Sequence, residues 1–228
     1  MSQVQLLVMA SGNGSNFQSI LDACADGRIP NTRVSKLFVN KKTAYSIQRA
    51  EKAGVPHEYF NLVTHGYLAK GEKDPARVKE GRARYDADLA AKIVEAKPDM
   101  VVLAGWMHVF DQAFLTPLQA AGLNVINLHP ALPRLTFFIT GRYDGANAIG
   151  RAFDDFQAGT LENDRTGIMV HYVIAEVDRG EPILTQEVPV LKTDKLEDLE
   201  TRMHAAEHEL LVKAIAQLVP EIAAKKST

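Results

Sequence analysis

Short apolar runs alternate with helix-length stretches along the first half of the chain, and this alternation constrains the fold most strongly. The runs at residues 100–104 and 125–128 are almost continuously apolar, which is typical of strands buried on both faces of a parallel sheet. Strands alternating with helices predict an α/β fold with a doubly wound, mostly parallel Rossmann-like sheet. The other strands predicted here are residues 4–9, 34–39 and 57–60, and the helices are residues 17–25, 45–53 and 76–96.

The pattern changes after Tyr143. A helix is predicted over residues 146–157, and two strands, residues 167–174 and 182–190, are joined by a turn. We expect these strands to form an antiparallel C-terminal region of the sheet. A long C-terminal helix follows, and Asp194 and Glu197 have the spacing of a capping box at its start.

Composition limits the classes of function. The 228 residues are 46% hydrophobic, which is enough for one large domain with a buried core. The net charge of −2 gives no general attraction for nucleic acid or for an anionic membrane, so an anionic ligand would need a local site. Cys24 is the only cysteine, which excludes a disulfide framework and fits a reducing compartment. We therefore expect a cytoplasmic protein with no nucleic-acid or membrane partner; the oligomeric state is not indicated.

Residues 11–16 read Ser-Gly-Asn-Gly-Ser-Asn between the first predicted strand and the first predicted helix. Glycine lets the backbone turn sharply and approach an anion, and a helix N-terminus supplies unpaired N–H groups. The segment lacks the Gly-Lys-Ser/Thr ending of a Walker loop and the third glycine of a dinucleotide fingerprint. It is therefore either a phosphate-binding loop of another kind or an ordinary capped turn.

Asn127 and His129 lie two residues apart at the end of a predicted strand, so both side chains project to the same side. Ligands of open α/β sheets bind beyond the carboxyl ends of the strands. An amide donor beside an imidazole can hold a carbonyl oxygen and move a proton, whereas the alternative is a capped strand end. Asp178 alone indicates a turn, and it would orient His129 only if the fold brought the two together.

His204, Glu207 and His208 match the inverted zinc-protease signature His-x-x-Glu-His within the predicted C-terminal helix. Helical spacing puts the two histidines on one face with Glu207 beside them, but the sequence marks no third ligand. The alternatives to a zinc hydrolase are a substrate contact through Glu207 and a solvated helix face.

Several short segments occur in one order along nearly the whole chain. They read Ser-Gly-Asn-Gly-Ser-Asn at 11–16, Leu-Ala-Gly-Trp-Met at 103–107, Asn-Leu-His-Pro at 127–130, Val-His-Tyr-Val at 170–173, Glu-Val-Asp at 176–178 and Glu-His at 207–208. This ordered set resembles the glycinamide ribonucleotide formyltransferase family of folate-dependent enzymes. The residues of its motifs look closest to those of fungal members. The resemblance implies a single formyltransferase domain over residues 1–228, with a phosphate-binding half at 1–104 and a folate-binding, catalytic half at 105–228.

The resemblance further implies that the glycyl amine of glycinamide ribonucleotide takes the formyl group of 10-formyltetrahydrofolate, a cosubstrate, in purine biosynthesis. No metal is required, because the tetrahedral species needs only an oxyanion donor and a proton shuttle. The implied catalytic residues are Asn127, His129 and Asp178. The implied ribonucleotide contacts are Gly14, Ser15, Asn16 and Glu207. The implied folate contacts are Arg82, Met107, His108, Val109, Phe110, Asn127, Ala175 and Asp178.

Other functions stay open beside this one. They are a 10-formyltetrahydrofolate hydrolase, another amine formyltransferase, a zinc hydrolase, and a nucleotide-binding module without catalysis. Residues 134–142 also depart from the family pattern, which usually moves quickly to a glycine-containing turn at this point. Three interpretations of the segment stay open: an ordered lid, a partner contact, or a gene-model artefact such as retained intron sequence. Whether the chain is active as given depends on which of the three is correct.

Overall fold

The computed structural model describes residues 3–133 and 143–226. The segment 134–142, for which three interpretations stay open, lies outside the described residues. The strands are β1 (Val4–Ala10), β2 (Thr32–Val39), β3 (His57–Tyr59), β4 (Met100–Leu103), β5 (Asn124–His129), β6 (Arg165–Tyr172) and β7 (Pro182–Pro189). The helices are α1 (Ser15–Ala25), α2 (Ser46–Lys52), α3 (Pro75–Glu95), α4 (Gln112–Ala120), α5 (Ala148–Gln157) and α6 (Leu196–Lys225).

The seven described strands form one sheet in the order β3-β2-β1-β4-β5-β6-β7. Strands β1 to β5 are parallel to one another, β6 is antiparallel to β5, and β7 is antiparallel to β6. The chain leaves β1 toward β2 and β3 and later returns to the other side of β1 for β4, so the strand order reverses between β1 and β4. Such a reversal is where open sheets bind ligands. The predicted fold class, including the antiparallel C-terminal strands and the long last helix, is confirmed.

Both faces of the sheet are buried, as the apolar strands require. Successive residues of a strand point to opposite faces. Leu6 and Val8 pack into the core that α1 and α6 cover, whereas Leu7 and Met9 pack into the core that α3 and α4 cover. All four side chains are fully buried. Each contributes roughly 1.5–3 kcal/mol of hydrophobic stabilisation, so helices on both sides fix the positions of the strand ends.

The structure adds a helix, α4, that the sequence analysis does not predict. The Asp111 carboxylate accepts a hydrogen bond from the Ala113 amide at 2.7 Å and caps its start. Phe114 and Leu118, one turn apart, are fully buried against the sheet. Pro117 lies inside the helix. Because proline is poorly compatible with a helix interior, it hides a short helix from a pattern search.

The start of α6 differs from the predicted capping box. The carboxylate that caps the helix is Asp198, which accepts from the Lys195 amide at 2.9 Å. Asp194 instead accepts from the Leu191 amide and pairs with Arg202 at 2.7 Å. The predicted partnership of Asp194 with Glu197 is therefore wrong. Although α6 has 30 residues, neither it nor another helix of the described chain is long and apolar enough to cross a membrane.

Gly14 shapes the connection between β1 and α1. Its φ of 75° lies in the left-handed region, and a Cβ atom there would lie 2.6 Å from the Ser46 Cβ at the start of α2. The Ser46 amide also donates to the Gly12 carbonyl at 3.2 Å. No side chain caps α1, so the amides of its first turn are free for a ligand. Glycine at position 14 thus permits the turn and the close approach of α2.

Replacing Gly14 by alanine is expected to lower the free energy of unfolding by about 1–3 kcal/mol, because a Cβ atom is strained at this φ and collides with Ser46. Denaturant unfolding measures the effect. Gly12→Ala is the matched control, since nothing lies within 4 Å of a Cβ atom there, and its change should stay within about 0.5 kcal/mol. Equal losses for the two variants would contradict this account of the turn.

Candidate active site

A cavity of ≈ 470 Å³ opens at the carboxyl ends of β1, β4 and β5. Its walls come from the loop 12–16 after β1, the segment 103–110 after β4, the strand end 127–130, the residues 171–178 and one face of α6. The cavity therefore occupies the position where the strand order of the sheet reverses, which the topology alone marks as a ligand site.

The carboxylate of Asp178 contacts residues from several segments of the cavity wall. One carboxylate oxygen, Oδ2, accepts from the Gly145 amide at 2.8 Å and lies 3.4 Å from Nδ1 of His129. The other, Oδ1, accepts from Nδ2 of Asn127 at 3.3 Å. The side chain is 8% exposed, so these groups take the place of water around the carboxylate. The structure thus brings together Asn127, His129 and Asp178, which the chain separates by about fifty residues.

The turn that carries Asp178 is held by its backbone and its neighbours. Asp178 itself has a φ of 54°, a left-handed conformation that aspartate tolerates better than most residues. A Cβ atom on Gly180 would lie 1.6 Å from the Tyr172 carbonyl oxygen, so only glycine allows the turn to pack on β6. Arg179 pairs with Asp144 at 2.8 Å. These contacts fix the direction in which the Asp178 carboxylate points.

His171 is a residue of the site that the sequence analysis missed. In the antiparallel pairing of β5 with β6 it lies opposite Asn127, and it is 2% exposed. Its Nδ1–H donates to the Tyr172 carbonyl at 2.8 Å, and its Nε2 lies 3.3 Å from Nδ2 of Asn127 and 3.5 Å from Oδ1 of Asp178. The Val-His-Tyr-Val motif contained the signal, but the register that places His171 beside Asn127 is not written in the sequence.

His129 is buried and neutral near pH 7. Burial lowers the pKa of His129, and the charge of Asp178 and the hydrogen bond to the Tyr143 carbonyl only partly oppose this effect. Because a carbonyl oxygen only accepts, the 2.8 Å contact with Tyr143 places a proton on Nε2 and leaves Nδ1 as the basic nitrogen. Burial alone would raise the pKa of Asp178, but His171, His129 and the Gly145 amide together bring that pKa below its usual value. A neutral base therefore faces a carboxylate.

The loop 12–16 meets a buried carboxyl group of α6. Nδ2 of Asn16 donates to Oε2 of Glu207 at 3.1 Å, and Glu207 is 6% exposed. Burial raises the pKa of Glu207, although the hydrogen bond from Asn16 and the charge of His204 act in the opposite direction. This end of the cavity therefore combines free helix amides, which favour an anion, with a carboxyl group that can bind a hydroxyl.

The segment 107–110 forms the opposite wall and is anchored from outside the cavity. The Met107 amide donates to Oγ of Ser11 at 2.8 Å, and Nη2 of Arg82 donates to the Val109 carbonyl at 2.8 Å. Nε2 of His108 lies 2.6 Å from the buried carboxylate of Asp86 on α3, so the imidazole is held there. Met107 and Val109 are 65% and 51% exposed and offer apolar contact area to a ligand.

Most of the residues predicted for the site line this cavity. Two of them, Arg82 and Ala175, do not: Arg82 supports the segment 107–110 from behind, and Ala175 packs against the core below α3 and α4. The roles of all these residues toward a ligand stay predictions. The predicted residues in the cavity wall are Gly14, Ser15, Asn16, Met107, His108, Val109, Phe110, Asn127, His129, Asp178 and Glu207.

The His-x-x-Glu-His signature does not form a metal site in the described part of the chain. Within residues 3–133 and 143–226, no group of three His, Cys, Asp or Glu side chains could hold a metal ion. Glu207 bonds to Asn16, whereas His204 faces the cavity. The zinc-hydrolase interpretation therefore has no geometric support among these residues.

Relatives of the chain agree on one family. The model of the family described as "Formyl transferase" matches residues 4–215. The phosphoribosylglycinamide formyltransferase of Schizosaccharomyces pombe is 45% identical over 217 residues, covering 95% of this chain and 97% of the relative. That of Dictyostelium discoideum is 42% identical over 216 residues, covering 93% of this chain and 97% of the relative.

Solved structures give the same result. Glycinamide ribonucleotide transformylase 1 from Symbiobacterium toebii superposes with a TM-score of 0.72 at 31% identity, covering 94% of this chain and 86% of that one. Its namesake from Geobacillus kaustophilus also has a TM-score of 0.72, at 29% identity, covering 95% of this chain and 98% of the other. The family resemblance drawn from the motifs is confirmed, and the chain belongs to the formyl transferase family.

Proposed function

We propose that this protein transfers the formyl group of 10-formyltetrahydrofolate to the glycyl amine of glycinamide ribonucleotide. The observation that carries the proposal is the convergence of Asn127, His129 and Asp178 between an anion-binding loop and an apolar wall. The relatives named phosphoribosylglycinamide formyltransferase support the same reaction. We place it in the cytoplasm, which agrees with a single, unpaired cysteine.

The ribonucleotide occupies the end of the cavity formed by the loop 12–16 and α6. Its phosphate accepts hydrogen bonds from the free amides at Ser15 and Asn16, where the dipole of α1 favours negative charge. Gly14 lets the backbone approach the phosphate. Glu207, a buried carboxyl group whose pKa burial raises, binds a sugar hydroxyl. The two halves of the chain, 1–104 and 105–228, thus share this substrate.

The folate lies along the segment 107–110 and the residues 173–178. Among the described residues, the backbone amides of Val109 and Phe110 have no hydrogen-bond partner, so they are free to bind the polar edge of a heterocycle. Met107 and Val109 supply apolar surface for its flat face. Arg82 supports this wall from behind through the Val109 carbonyl, and its remaining N–H groups suit the carboxylates of the glutamate tail.

The reaction begins when the amine nitrogen attacks the formyl carbon and the carbonyl electrons move to oxygen. Nδ2 of Asn127 donates to that oxygen; its present contacts with Asp178 and His171 are both 3.3 Å, long enough to be exchanged for a shorter bond. The attacking nitrogen then loses a proton to Nδ1 of His129. The imidazolium that forms faces Asp178, which stabilises its charge.

Collapse of the tetrahedral species breaks the bond between the formyl carbon and N10 of the folate. The His129 imidazolium gives its proton to N10 as N10 leaves, so the products are the formylated amine and tetrahydrofolate and the base returns to its starting form. Proton removal by His129 and oxyanion stabilisation by Asn127 are together sufficient for this step. A 10-formyltetrahydrofolate hydrolase would use the same centre with water as nucleophile, but it would have no use for the phosphate loop.

Mixing the protein with glycinamide ribonucleotide and 10-formyltetrahydrofolate should release tetrahydrofolate only when both are present. Absorbance follows the folate, and mass spectrometry identifies the formylated amine. Formate release that does not depend on the amine would identify a hydrolase instead. No turnover from a folded preparation would reject the proposed function.

Replacing Asn127 by alanine should lower kcat by about 10²–10³-fold, the usual cost of losing one oxyanion donor. Initial rates at saturating concentrations of both substrates measure the effect. Asn124→Ala is the matched control, because Asn124 is the exposed first residue of the same strand and does not line the cavity. An Asn127 variant that kept kcat within about threefold of the parent would remove Asn127 from the mechanism.

A further inference from the structure

A buried carboxyl group outside the cavity holds the wall formed by residues 107–110. Asp86 lies on α3, is 1% exposed and does not line the cavity, so it cannot touch a ligand there. Its Oδ1 lies 2.6 Å from Nε2 of His108, and its Oδ2 accepts from the Asp111 amide at 3.2 Å. A buried carboxylate needs donors in place of water, so burial commits Asp86 to these contacts.

The two contacts of Asp86 bracket the part of the wall that is proposed to meet the folate. His108 precedes this part and Asp111 follows it. Between them lie Val109 and Phe110, whose backbone amides have no hydrogen-bond partner among the described residues. The carboxylate therefore fixes the chain on both sides of the two free amides.

Two further residues of α3 hold the same wall. The Tyr85 ring meets the His108 ring edge-on, with centroids 5.0 Å apart. Nη2 of Arg82 donates to the Val109 carbonyl at 2.8 Å. The His108 ring also meets the Phe110 ring at 5.0 Å, and the His108 side chain is only 8% exposed. The imidazole is thus packed as well as hydrogen-bonded, so α3 sets its position and the position of the backbone beside it.

We propose that Asp86 is a positioning residue for the folate: through His108 and the Asp111 amide it holds the free amides of the wall where the heterocycle binds. The inference rests on the proposed function, which lays the folate along residues 107–110. A wall that is already ordered avoids the cost of ordering it on binding. Loss of the Asp86 carboxylate should therefore weaken the binding of the folate in particular.

A purely structural role of Asp86 predicts a different result. If its contacts only stabilised the fold, their loss would lower the amount of folded protein and leave the KM of both substrates unchanged. A positioning role changes the KM of one substrate. The KM for 10-formyltetrahydrofolate should rise, whereas the KM for glycinamide ribonucleotide, whose proposed site is the loop 12–16 and α6, should stay within about twofold and kcat within about threefold.

Fluorescence of Trp106 measures folate binding without turnover. Trp106 is the only tryptophan of the chain, lines the cavity and stacks on Phe110 with ring centroids 6.1 Å apart. In titrations with tetrahydrofolate in oxygen-free buffer, we expect Asp86→Ala to bind about tenfold more weakly than the parent. Asp86→Asn keeps an acceptor oxygen but loses the charge, so its loss should be about threefold.

Asp88→Ala is the matched control for the same helix. Asp88 is exposed, accepts from the Tyr67 hydroxyl at 2.6 Å and does not line the cavity, so tetrahydrofolate should bind this variant as it binds the parent. Denaturant unfolding checks that each variant is folded. If Asp86→Ala is not folded, the affinities of Asp86→Asn and His108→Ala decide the question, since both should be lower than that of the parent.

A double variant tests whether Asp86 acts through His108. His108→Ala alone should weaken tetrahydrofolate binding. Combined with Asp86→Asn, it should weaken binding by less than the product of the two single effects, because both substitutions remove the same contact. A double variant whose loss equals that product would overturn the proposed route through His108.

Tetrahydrofolate affinities of Asp86→Ala and Asp86→Asn equal to that of the parent would overturn the proposal, as would equal rises in the KM of both substrates. Assays of amine-dependent turnover on the same preparations separate this failure from that of the proposed function. If the parent turns over and the Asp86 variants keep its affinity, only the role of Asp86 is wrong. If the variants lose affinity but the parent does not turn over, only the reaction is wrong.

Discussion

The buried carboxylate of Asp178 is the constraint on which the rest of the site depends. Removing a carboxylate from water is costly unless hydrogen-bond donors replace the solvent, and here two donors come from different elements. They are Nδ2 of Asn127 at the end of β5 and the Gly145 amide before α5, while ring nitrogens of His129 and His171 lie 3.4 Å and 3.5 Å from the carboxylate. A turn that only glycine at 180 permits holds the carboxylate in place. Loss of Asp178 would therefore disturb both halves of the proposed chemistry, the oxyanion donor and the base.

A second property of the site is that few of its side chains carry a charge. In the proposed function the phosphate end relies on the free amides of α1, and the reacting centre relies on His129, whose pKa burial lowers. Fixed dipoles in a partly buried cavity stabilise charge as it develops without attracting unrelated anions. This arrangement suits a protein whose net charge is −2 and whose specificity must come from local geometry.

The sequence predicts the features that follow from the geometry of single strands. It does not predict the side-chain contacts that depend on how two strands are paired. The apolar runs predict the parallel sheet, and the two-residue spacing of Asn127 and His129 predicts their shared side, because both follow from strand geometry. The approach of Asp178 to His129 depends on an antiparallel pairing and a turn, so only the family resemblance suggested it. His171 was missed for the same reason, and Pro117 concealed α4.

The most direct test of the account is the pKa of the His129 imidazole, measured by NMR titration and assigned with His129→Gln. In the parent protein this pKa should lie below the usual value for histidine, because burial disfavours the cation. In Asp178→Asn it should fall further, since the charge of Asp178 raises it in the parent. A His129 pKa that stays the same or rises in Asp178→Asn would contradict the claim that Asp178 stabilises the protonated base.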